Sequence, residues 1–240
     1  MNVIPARQFF GESRTPVLTV DHAGPDPRTV VKLATALGPF PAAANNYPGL
    51  RRVIDERDTA AWSYVVELLN AMTPYIAGAF DLDGFDLVEA SFSLITTAPD
   101  DLAPVQRTPH FDSIDPDFYA LMHYLADCDG TAFYRHRATG VERVSAASVD
   151  RYVIAARAAA QRAPIGYIGG STVDYDRIGT VAGTSGRFVA YPGSLLHSGI
   201  VPGDFPGSAD PQAGRLTGNF FICARRGVRS ARLRPMRDSR

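Results

Sequence analysis

Residues 86–97 read DLVEASFSLITT, and at this stretch the chain changes character. Its residues alternate and are rich in β-branched and aromatic types, the pattern of a strand. From there on the chain is a series of short apolar runs broken by Gly, Pro and Asp. Strands are predicted at 118–126, 131–137, 177–182, 186–192 and 217–224. One helical interruption is predicted at 148–162, where Val149, Tyr152, Val153, Ala156 and Ala160 share a face. Toward the N-terminus the pattern is helical. Trp62, Val65, Val66, Leu69, Met72 and Ile76 form an apolar stripe over 58–79, with Asp58 or Thr59 as the cap. Pro74 is expected to kink or end that helix. Val30, Val31, Leu33, Ala34 and Leu37 predict a second helix over 28–37, and PVLTV at 16–20 reads as a strand with loose flanks. A helical first part followed by many short strands predicts a mainly β fold, a sandwich or jelly roll braced by helices. The expected organisation is one domain, with 1–85 as strand and helical support and 86–240 as the core.

Bulk properties narrow the function. The 240 residues carry a formal net charge of -1, with 45% apolar and 20% charged residues, ordinary globular usage. No cluster of Lys and Arg reads as a nucleic-acid surface. The basic run Arg225, Arg226, Arg229, Arg232, Arg234, Arg237 and Arg240 reads as a solvated tail. No run approaches the roughly 18 apolar residues of a membrane span. MNVIPARQFF lacks the basic start and apolar stretch of a signal peptide. Cys128 and Cys223 have neither metal-type spacing nor a disulfide framework, so a cytoplasmic setting is expected. Lys32 is the only lysine among 24 basic residues, which suggests a GC-rich bacterial genome.

Chemistry is concentrated in three places. In PHFDS at 109–113, strand alternation would put His110 and Asp112 on one face, offering an imidazole nitrogen and a carboxylate oxygen. A metal needs a further ligand, and His197, in YPGSLLHSG near the end of an apolar run, is the candidate. Two His and one carboxylate leave open positions on a metal, the arrangement of Fe(II) oxygenases. Alone, a His-x-Asp pair more often lies on a surface. The third place is GRLTGNFFI at 214–222. There Arg215 and Thr217 would share a strand face, a guanidinium fork beside a hydroxyl, suited to a buried carboxylate.

In this order, His110-x-Asp112, a long gap, His197, then Arg215-x-Thr217, the chain resembles the Fe(II)- and 2-oxoglutarate-dependent dioxygenase superfamily. ALMHYLADCDGTAFY at 120–134 and GRFVAYPGSLLHSGIVPG at 186–203 resemble its prolyl-hydroxylase-like branch, with GTAFYRHRATG similar to bacterial relatives of unknown function. The resemblance spans roughly 86–224. It implies a double-stranded β-helix, a cupin-like jelly roll, with iron held by His110, Asp112 and His197. It implies 2-oxoglutarate as co-substrate, its far carboxylate held by Arg215, Thr217 and Tyr124, and O2 as oxidant. The family more often has two glycines where this chain has Gly130 and Thr131. Asp112 stands where related halogenases carry a small residue, so hydroxylation is expected, with desaturation or cyclisation open to the same ligands.

The expected partner is a small molecule, an amino acid or natural-product intermediate, acted on by a monomer or homodimer. Arg107, Arg135, Arg137 and Asn219 are candidate substrate contacts. His123 should face away from the site, and residues 138–175 and 203–213 are candidate covers. Two other readings remain open: a cupin-like metalloenzyme without 2-oxoglutarate, against which Arg215 and Tyr124 argue, and a non-catalytic jelly-roll binding module.

Overall fold

A computed structural model describes residues 3–44 and 46–225. All but the first arginine of the C-terminal basic run therefore lie outside the described residues. The chain is mainly β, with ten strands in two antiparallel sheets and three α-helices among the described residues.

The larger sheet gathers β1 (Ile4–Phe10), β2 (Thr15–Asp21), β3 (Gly49–Ile54), β4 (Gly84–Ile95), β5 (Phe118–Tyr124), β8 (Phe188–Pro192) and β10 (Arg215–Arg225). Their order is β1-β2-β8-β5-β10-β4-β3. The smaller sheet is β7-β6-β9, from β7 (Tyr175–Gly183), β6 (Cys128–His136) and β9 (His197–Gly199). Helices α1 (Pro27–Ala36) and α2 (Thr59–Phe80) follow β2 and β3, and α3 (Val149–Arg162) precedes β7.

Period two sorts each strand of the large sheet. On β10, Leu216, Phe220 and Ile222 join Phe92, Leu94, Leu121 and Phe188 in one core with α1 and α2. The intervening residues 215, 217, 219 and 221 line the other face. Helix α2 buries Ala61, Tyr64, Val65, Leu68, Leu69, Met72, Ile76 and Phe80, spaced three and four apart. Each such Leu or Ile buried is worth about 1.5–3 kcal/mol. Pro74 does not end the helix, which runs on to Phe80 and stops at Asp81 in left-handed conformation, φ 56°. Asp58 occupies the cap position without capping. Its carboxylate instead accepts from Asp55 N at 3.1 Å and Arg52 at 2.7 Å.

The small sheet faces the inner side of the large one. Phe133 of β6 packs against Phe10 at 5.3 Å and Tyr191 at 5.2 Å between ring centroids. Its outer face, with Ala132 and Tyr134, is covered by Tyr152 and Ala159 of α3. Gly130 in β6 has φ +93°, and a Cβ there would lie 1.9 Å from Val181 O, so this position requires glycine.

The strand segments before residue 86 do more than support a core. β2 pairs with β8 and β3 pairs with β4, which makes both part of the large sheet. Strands β1 and β3 go beyond the elements expected from the sequence. The expected strand at PHFDS is also absent. His110 makes a one-residue bridge, and Asp112 lies in a bend.

Candidate metal centre and the pocket around it

Individual backbone bonds set His110 and Asp112, while His197 opens β9 and pairs with Phe133 of β6. His110 and His197 exchange two N–H to C=O bonds, both 2.9 Å, which brings their rings to 4.2 Å between centroids. Asp112 N donates to Gly193 O at 2.7 Å, tying the loop to the turn after β8. One ligand atom from each of His110, Asp112 and His197 lies within 4.8 Å of the others. Nε2 of His197 is 3.6 Å from Asp112 Oδ2, and Nε2 of His110 is 3.9 Å from Asp112 Oδ1. These separations are too long for hydrogen bonds. They suit atoms that share an ion.

Three observations test whether a metal fits. Asp112 Oδ2 is buried and has no hydrogen-bond partner, costly unless something else satisfies it. His197 lies 2.8 Å from Leu195 O through Nδ1. A carbonyl only accepts, so Nδ1 carries the proton and Nε2 is left as a lone-pair donor facing Asp112. Protonation also matches. Burial holds His197 down to about 4, against the pull of the Leu195 bond. His110 is lowered by burial and by the neighbouring ring of His197, although 60% of its side chain is open to the pocket. Both imidazoles are neutral near pH 7. Burial pushes the Asp112 carboxyl up to about 6, with His110 and Arg51 pulling it back. Two neutral imidazoles and an unsatisfied carboxylate form a donor set for a divalent metal.

The pocket holding these groups has a volume of about 380 Å³. Arg215, Thr217 and Asn219 project into it from β10. Arg215 donates to Gly130 O at 2.9 Å through Nη2, while its Nε is buried without a partner. Thr217 is cross-strand neighbour to both Tyr124 and Ser93. Tyr124 is fully buried, and its hydroxyl shares a 2.7 Å hydrogen bond with Thr131. Burial raises that hydroxyl to about 12, with Arg215 and Thr131 working in the other direction. It is Thr131, not Tyr124, that lines the cavity.

The other expected residues lie elsewhere. Arg107 bonds back to Leu102 O at 2.9 and 2.6 Å and lines an adjoining cavity, not this pocket. Arg135 pairs with Glu12 and with Asp176 at 3.1 Å, and Arg137 pairs with Asp176 at 2.7 Å. Neither arginine reaches the pocket, because their strand ends on the side facing β7 and the β1–β2 turn. His123 faces α2, with Nδ1 3.0 Å from Tyr64 Oη.

Four residues in the pocket wall escaped the sequence reading: Tyr47, Arg51, Tyr167 and Tyr191. Arg51 lies along the sheet, bonded to Ser91 Oγ at 3.2 Å, paired with Glu89 and stacked over Phe221 at 5.6 Å. Alternation in GLRRVI was the available signal for it. Tyr191 packs edge-on to His197 at 4.8 Å. Tyr47 and Tyr167 sit in irregular segments, where spacing carries no information.

The fold is shared with two solved structures. AviO1 from Streptomyces viridochromogenes is 16% identical, with 90% of each chain covered and a TM-score of 0.50. HygX from Streptomyces hygroscopicus, crystallised with nickel and 2-oxoglutarate, is 12% identical over 87% of this chain and 82% of its own, also at 0.50. This places the chain in the fold class of a protein that binds a metal and 2-oxoglutarate. The chain itself belongs to the family of unknown function DUF6445, whose model matches residues 2–222. No curated protein matches it. No helix among the described residues is long and apolar enough to cross a membrane.

Proposed function

We propose that this chain is an Fe(II)- and 2-oxoglutarate-dependent oxygenase on a double-stranded β-helix, oxidising an unactivated C–H bond of a small molecule. One observation carries the reading. His110, Asp112 and His197 converge within 4.8 Å in a pocket that also presents the unpartnered Nε of Arg215. A metal would relieve the first unsatisfied group and a diacid the second. Two facing antiparallel sheets around one pocket support the jelly-roll assignment.

Iron would be held by His110, Asp112 and His197. Arg215 and Thr217 would bind the distal carboxylate of 2-oxoglutarate, with Tyr124 bracing Thr131 behind them. Bound together, iron and 2-oxoglutarate would activate O2, the oxidant, with one oxygen atom ending in succinate as 2-oxoglutarate loses carbon dioxide and the other available to oxidise the substrate. The protein's part is to orient the reactants and exclude side reactions. Leu195 O fixes the His197 tautomer, and the apolar wall of Tyr191 and Met122 limits water. Asp112 fills the position a halide would need, which favours hydroxylation, with desaturation or cyclisation available to the same ligands. Asn219, which lines the pocket, would touch substrate. The reduced cysteines Cys128 and Cys223 fit a cytoplasmic enzyme.

The test is anaerobic titration of the protein with Fe(II) and then 2-oxoglutarate. A weak visible charge-transfer band that needs both is expected. Metal binding without the band would point to a metalloenzyme that does not use 2-oxoglutarate. Absence of metal binding would leave a binding module.

A further inference from the structure

A second cavity, of about 360 Å³, adjoins the metal pocket. Its wall is the loop 163–174, which leaves α3 and returns to β7. The 2.6 Å ion pair between Arg162 and Asp174 closes the base of that loop. Thr108 and Tyr167 line both cavities. The Tyr167 hydroxyl donates to Thr97 O at 2.8 Å, so its ring stands as a fixed partition between them.

Space is the first argument that this cavity takes a ligand. Small-molecule sites run to about 300–1,000 Å³. The metal pocket, at about 380 Å³, is near the bottom of that range. On the oxygenase reading it must hold a co-substrate and a substrate together. Surface chemistry is the second. Ile165 and Val173, on the loop, are 69% and 76% exposed, and Val105, in the wall of the metal pocket, is 48% exposed. Ile165 and Val173 thus offer apolar surface at the wall of the second cavity, and Val105 at the wall of the first. The backbone is the third. Gly166, Gly169 and Gly170 keep the wall clear of side chains, and a Cβ on Gly170 would meet nothing within 4 Å.

We propose that the second cavity is a subsite for an apolar arm of the same substrate. The reacting carbon would sit among the polar groups of the metal pocket, and the arm would pass Tyr167 to lie against Ile165 and Val173. This deepens the oxygenase reading and rests on it. The substrate class becomes an amphiphile with an extended apolar portion, larger than a free amino acid.

A fluorinated naphthol followed by 19F NMR tests this on the full chain. The wild type should bind it. Gly170→Trp adds bulk to the cavity wall, where a side chain would meet no protein atom, and should weaken binding at least tenfold. Gly203→Trp makes the same change in open space outside both cavities and should leave binding unaltered. Mn(II) loaded at the His110, Asp112 and His197 site should broaden the bound resonance, because the cavities adjoin. Equal affinity in wild type and Gly170→Trp, or no binding to either, would overturn the subsite. Failure of Mn(II) to load would count against the metal site alone, since the naphthol comparison is read without metal.

Discussion

The two sides of the metal pocket are built by different means. Arg215, Thr217 and Asn219 stand on one strand, β10, which pairs with β4 along its whole length and with β5 along much of it. His110, Asp112 and His197 stand on a one-residue bridge, a bend and a three-residue strand. A strand fixes side-chain direction with period two, so it can present a row of groups along a groove. Three ligands must approach one point from different directions, which a single flat ladder cannot supply. Separate backbone bonds, such as Asp112 N to Gly193 O, supply them instead. The β10 side is regular, although it too leaves one buried group, Arg215 Nε, without a partner. The ligand side leaves a buried carboxylate oxygen without a partner and carries that cost in the metal-free protein.

The sharpest way to break this contrast is Asp112→Asn. Metal affinity should fall by about a hundredfold or more, since even residues behind a ligand are worth about 10–100-fold. Competition with a chelating dye would measure it. The same variant should melt higher than wild type when both are metal-free at pH 7. The folded carboxyl is raised from 3.8 to about 6. A group raised in the folded state favours folding below its unfolded value, and that advantage is lost as pH rises through the folded one. The charged wild type is therefore the less stable by about 3 kcal/mol at neutral pH. The difference should vanish below about pH 4. Metal binding to the wild type should weaken as pH falls below 6, as protons compete for Asp112 while the histidines stay neutral. Equal melting at pH 7 would mean that the carboxylate is solvated and the site relaxed.

Arg215→Leu probes the opposite side. Removing one charge-assisted contact of about 1.5–3 kcal/mol should weaken 2-oxoglutarate roughly 10–100-fold. Metal affinity should be unchanged, because Arg215 stands on the sheet and no ligand depends on it. Loss of both would show that the two sides fold as one unit.

How far each side could be read in the sequence follows the same division. Residues 215, 217 and 219 were legible as a row because strand alternation is a local rule. Helix α2 was legible from its three-four stripe. The convergence of residues 110, 112 and 197 was not, since no local rule relates two segments so far apart. It was proposed from the need for a third ligand and strengthened by the resemblance, and the strand expected to orient His110 and Asp112 is a bridge and a bend. Arg135 and Arg137 were expected as possible substrate contacts because they alternate with His136 at the end of the predicted strand 131–137. Alternation sets the face of a residue but not where along the strand the pocket ends. Tyr47 and Tyr167 lie in irregular chain, so only the folded structure brings them to the wall.

Tyr124→Phe should have a smaller effect. It removes the 2.7 Å bond to Thr131 and leaves that hydroxyl to find another partner. A loss of about 1 kcal/mol in stability is expected, with 2-oxoglutarate affinity reduced only a few-fold. If Tyr124 touched the co-substrate directly, affinity would instead fall as far as in Arg215→Leu, so the two variants together rank sheet and hairpin contributions.

The smallest effect is expected from Arg137→Ala. Arg137 pairs with Asp176 at 2.7 Å but remains 48% exposed. Exposed pairs of this kind contribute little, because water screens the attraction and ordering two side chains costs entropy. Asp176 also keeps Arg135 as a partner at 3.1 Å. The arginines of the pocket wall are Arg215 and Arg51, the latter 18% exposed and held by Glu89 and Ser91. Melting temperature and succinate release should therefore match the wild type in Arg137→Ala. A tenfold fall in kcat/KM with unchanged melting would mean that substrate reaches over β6 to the far strand end, and the division between a gripping sheet and a metal-holding set of turns would have to include a third surface.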